Sequence, residues 1–64
     1  MRLSEWQEKQ AVYAIRIMKT RRNNEWRVRS FIRINFGFPC SVSYATRIWG
    51  RWRYVPCRSL ITSH

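Results

Sequence analysis

Residues 26 to 36 alternate in character at every step but two. Trp26, Val28, Ser30, Ile32, Ile34 and Phe36 hold the even positions, and Arg27, Arg29, Phe31, Arg33 and Asn35 hold the odd ones. Successive side chains of an extended chain point to opposite faces, so this period of two predicts a half-buried β-strand with one apolar and one cationic face. A helix would scatter the same arginines around its circumference. The fold of the whole chain is therefore expected to be organised around this strand.

What precedes it reads as a helix. Ser4 followed three residues later by Gln7 makes a capping box, in which each side chain satisfies a backbone donor left free in the first turn. Glu5 and Glu8 sit where the helix dipole favours acid, and Arg16, Lys19, Arg21 and Arg22 where it favours base. Leu3, Trp6, Tyr13, Ala14, Ile17 and Met18 share one stripe, interrupted by Gln10, and Asn23-Asn24 is a plausible stop. A shorter helix to about Gln10, with a strand over residues 11 to 18 rich in β-branched side chains, is the competing reading.

Gly37 and Pro39 mark a turn after the alternating stretch. A second strand is expected from Val42 to about Ile48, running on toward Val55 unless Gly50 introduces a bulge that reverses the register. Pro56 ends that run, and Leu60, Ile61 and Thr62 supply a short edge strand. The fold class this implies is α+β, an N-terminal helix packed on a small antiparallel sheet of two to four strands. The 64 residues make a single domain with a thin core.

Antiparallel pairing of the two strands would place both apolar faces under the helix. Arg27, Arg29, Arg33, Arg47, Arg51 and Arg53 would then share the open face of the sheet with Phe31 and Trp49. Such a face suits single-stranded nucleic acid, because guanidinium groups follow phosphates while bases stack on rings. Arginines on an outer sheet face also serve solubility alone. Trp6, Trp26, Trp52 and Tyr44 are assigned to the core. Arg16, Lys19, Arg21 and Arg22 form a secondary basic patch.

Charge supports a polyanionic partner. Thirteen Lys and Arg against three Glu and no Asp give a formal +10, a self-repulsion that opposes compactness unless something negative is bound. Eleven of the thirteen are Arg, whose planar fork binds phosphate bidentately and stacks on bases. RNA or another single-stranded nucleic acid is the expected partner, as for a small RNP component or viral accessory protein. An acidic protein surface, docked as by a small inhibitor, is the alternative. A membrane surface ranks below both, and the Trp- and Arg-interleaved residues 48 to 54 are what would favour it.

Other functions fail on inventory. The one His, His64, is terminal; the Glu are dispersed, and neither paired carboxylates nor a Gly-rich phosphate loop occurs, so no enzyme and no cofactor is expected. Cys40 and Cys57 without a Cys-x-x-Cys pair make no metal site. They are read as reduced thiols of a cytoplasmic protein, with a disulfide as the other possibility. The longest uncharged run, residues 34 to 46, contains Gly37 and Pro39 and is too short to span a bilayer.

Overall fold

The computed structural model describes residues 2–61, and every regular element among them is a helix. They are α1 (Glu5–Ile17), α2 (Asn24–Phe36), α3 (Val42–Trp52) and the short α4 (Cys57–Ile61). The expected sheet is absent from the described residues, so the α+β assignment and the antiparallel sheet are both corrected to an all-helical bundle. Residue 62 of the proposed edge strand lies outside the described residues, as does His64; Leu60 and Ile61 are in α4.

The N-terminal helix forms as its cap predicts. The Ser4 Oγ accepts from the Gln7 amide at 3.1 Å, and the Ser4 amide donates to Gln7 Oε1 at 3.0 Å. The helix runs through residues 11 to 17, which excludes a strand there, and it closes before Asn23-Asn24. Ala11, Val12 and Ile15 are its buried apolar stripe.

The alternating segment is α2, and burial within it explains the misreading. Of the even positions only Val28 and Ile32 are fully buried, four residues apart, as one helix face requires. Trp26 and Ile34 belong to the supposed apolar strand face yet are 54% and 81% exposed. Helical punctuation brackets the segment. The Asn24 side-chain Nδ2 donates to the Thr20 carbonyl at 3.3 Å, and the Thr20 hydroxyl donates to Asn24 Oδ1 at 2.6 Å. Gly37 ends α2 at φ 61°, the left-handed conformation that favours glycine after a helix, and Pro39 follows.

The second expected strand is α3. Ser41 caps it, accepting from the Tyr44 amide at 3.1 Å, and Ala45, Ile48, Trp49 and Trp52 make its buried stripe. Gly50 lies inside this helix and is no bulge.

Helix α1 packs against each of the other three helices, and α2 packs against α3. Leu3, Val12, Ile15, Val28, Ile32, Ile48, Trp49, Trp52 and Leu60 fill the space between them. The radius of gyration is 10.6 Å, against about 10.7 Å for a compact chain of this length. The self-repulsion therefore leaves the chain fully collapsed.

Candidate nucleic-acid interface

In the helical bundle the sequence-predicted cations part company. Side chains two residues apart on a helix lie about 200° apart around its axis, so Arg27 and Arg29 leave α2 in nearly opposite directions. Arg27 turns back toward the preceding loop, where its Nε donates to the Arg22 carbonyl at 3.2 Å. Arg29 donates from Nε to the Cys40 carbonyl at 3.1 Å and lies over the Trp26 ring, 4.6 Å from its centroid. Arg33 is exposed on the same side, close enough to act on Cys40. Burial pushes the Cys40 thiol above its ordinary pKa, and the positive charges of Arg29 and Arg33 oppose that rise.

Arg47 and Arg51 stay together, because a spacing of four puts them on one flank of α3. With Arg2, Glu8, Tyr44 and Ile48 they line an open cleft of about 300 Å³ between α3 and the beginning of α1. Arg51 is the most engaged cation of the cleft. It pairs with Glu5 at 3.6 Å and with Glu8 at 3.5 Å, and stands 4.5 Å from the Trp52 ring centroid. Arg2 and Arg47 are exposed and make no ion pair or side-chain hydrogen bond among the described residues.

Glu8 forms the floor of this cleft and is only 4% exposed. A buried carboxylate is costly unless hydrogen-bonded, and Glu8 is well supplied. Trp52 Nε1 donates to one oxygen at 3.0 Å and the Tyr44 hydroxyl to the other at 3.3 Å. Tyr44 in turn accepts from the Leu3 amide at 3.3 Å, which ties the entry of α1 to α3. Glu8 thus fixes the cleft wall; its charge is already matched by Arg51.

Arg53 caps α3 on the opposite flank. Its guanidinium stands between two rings, 5.3 Å from the Trp49 centroid and 4.8 Å from that of Tyr54. The stacking surface foreseen at Phe31 and Trp49 does not form as expected, since the described residues hold no sheet to carry it. Trp49 is 6% exposed and belongs to the core, and Phe31 is half-buried, edge-on to Phe36 at 5.7 Å. The assignment of Trp6 and Trp26 to the core is also corrected, because both are exposed; Trp52 is buried and Tyr44 partly so. The open rings are Tyr54, 82% exposed, with Trp6 and Trp26.

The secondary patch divides as well. Arg16 Nη1 donates to the Trp52 carbonyl at 3.2 Å and also to the Val55 carbonyl, so it closes the end of α3. Lys19, Arg21 and Arg22 are exposed in the loop between α1 and α2, with no ion pair among the described residues. Arg2 is the cleft residue that sequence reasoning missed. Nothing in its neighbourhood marks it beyond its charge, because the cleft exists only once α3 lies against α1.

No helix is long and apolar enough to cross a membrane among the described residues. Cys40 and Cys57 are free thiols, the first buried and the second exposed. Set against protein-family models, curated proteins and solved structures, the chain matches none.

Proposed function

We propose that this chain binds nucleic acid, RNA or single-stranded DNA, through charge and with little sequence preference. One observation carries the reading. Arg2, Lys19, Arg21, Arg22, Arg33 and Arg47 make no ion pair and no side-chain hydrogen bond among the described residues, while Glu5 and Glu8 both turn to Arg51. Six uncommitted cations in so small a body make a strong field, and phosphate is the ligand that guanidinium groups fit best.

The mechanism differs from a flat platform. The cleft group at Arg2 and Arg47 and the loop group at Lys19, Arg21 and Arg22 lie at the two ends of α1, about 20 Å apart by the helical rise. A flexible strand reaches both by running along the surface, whereas a rigid flat ligand does not. Tyr54, beside Arg53, offers a ring for one base, and a stacked base contributes about 1–3 kcal/mol. Binding of this kind goes with a cytoplasmic location.

Salt dependence provides the test. With all six cations on the phosphates of a single strand, log K falls with log[salt] at a slope of about −4. Replacing Arg2, Arg33 and Arg47 together by Gln should reduce that slope by about 2. Tyr54→Ala should weaken binding and leave the slope unchanged. A slope near zero in titrations of a labelled oligonucleotide, or no binding at low salt, refutes the proposal.

A further inference from the structure

Helix α2 presents a second, partly apolar stripe at the margin of the core, against which Phe31 packs. Phe31 and Ile34 stand on it with Arg27 and Ser30, at the i, i+3, i+4, i+7 spacing of one helix face. Together with Trp26 and Asn35 of α2 and Ile15 and Met18 of α1 they line a groove of about 350 Å³. Ile34 is 81% exposed, with Trp26 at 54% and Met18 at 51%. A contiguous apolar surface of this kind marks an interaction site far more often than an isolated exposed side chain does.

We infer that this groove binds an acidic amphipathic helix of another protein. The groove follows α2 from Trp26 to Ile34, about 12 Å at the helical rise, which two turns of a docked helix would match. Its apolar lining takes the greasy side of such a helix. Arg27 lies in the lining, and Lys19, Arg21 and Arg22 occupy the loop at its α1 end, so the flanks call for carboxylates.

The same charges disfavour the other occupants. A second copy of this chain brings three Glu, of which Glu8 is buried and Glu5 is paired with Arg51, so it has almost nothing acidic to offer. Two +10 bodies also repel. The loop cations attract nucleic acid as well, but inside the groove it would meet one arginine, with Ser30 and Asn35, among apolar side chains. A bilayer surface is flat and does not enter a groove between helices.

The probe is a synthetic helical peptide with Leu at i, i+3, i+4 and i+7 and Glu at the flanking positions. Its control is a scrambled peptide of the same composition, which bulk attraction to the +10 chain would bind equally. The ordered peptide should bind at least tenfold tighter, quench Trp26 fluorescence and shift the NMR resonances of Met18 and Ile34. The double variant Met18→Gln with Ile34→Gln, at two exposed positions, should lose that preference while keeping its helical circular dichroism and its oligonucleotide affinity. Equal binding of both peptides, or shifts confined to the Arg2 and Arg47 cleft, overturns the inference. So does a parallel loss of oligonucleotide affinity in the double variant, or anionic-vesicle binding that depends on Met18 and Ile34 in place of peptide binding.

Discussion

Arg16 illustrates how a cation can serve structure and partner differently from what its position suggests. Sequence places it at the end of a helix, where any base is favourable to the dipole. In the folded chain it reaches across to the carbonyls of Trp52 and Val55 and holds the turn between α3 and α4. Hydrogen bonds from a charged donor contribute about 1.5–3 kcal/mol each, less where solvent competes. Arg16→Ala should therefore lower stability by about 2 kcal/mol, measured by urea unfolding, with little effect on the salt slope of oligonucleotide binding. A large change in slope with unchanged stability would show that Arg16 faces the ligand instead. Charge was legible in the sequence for every arginine, but its destination was not. Arg16, Arg29 and Arg51 bind groups 11 to 43 residues away in the chain, and those neighbours exist only after folding.

Helix ends were the most legible elements, and the helix interiors the least. The Ser4 box announced α1, and the same grammar was present around α2 in Gly37 and Pro39 and before α3 in Ser41. It was overruled by the alternation of residues 26 to 36. That pattern contains Val28 and Ile32 at helical spacing as well, and eleven residues are too few to separate periods of 2 and 3.6 when half of them are large. Arginine is a good helix former, so the cationic positions did not oppose the helix either. The two glycines now give opposite predictions. A Cβ added at either would meet nothing within 4 Å, but Gly37 has φ +61° whereas Gly50 is in a regular helix. Gly37→Ala should cost about 1 kcal/mol through the left-handed backbone, and Gly50→Ala should stabilise by about 0.8–1 kcal/mol through helix propensity. Both are readable from thermal unfolding, and matching signs would contradict the helical assignment of Gly50.

Across the whole molecule, opposition between charge and compactness governs behaviour. Composition foretold a folded basic body, and part of the apolar content does collapse into a core, although Trp6 and Trp26, expected inside, stay exposed. The layered architecture was missed because a sheet and a bundle bury similar apolar totals. Screening should reveal the stored repulsion: raising NaCl without ligand should raise the melting temperature, since exposed like charges interact less at short Debye length. Each kcal/mol gained corresponds to about 4–8 °C in a domain of this size, and a melting temperature that falls with salt would show that the Arg51 pairs outweigh the repulsion. Helix α1 has a further consequence, because it packs against all three of the other helices. A cut in the loop between α2 and α3 would leave two strongly cationic fragments, each stripped of the other's half of the core. Rejoining them would mean bringing like charges together, so a single nick there should weaken the fold more than the loss of chain connection alone would.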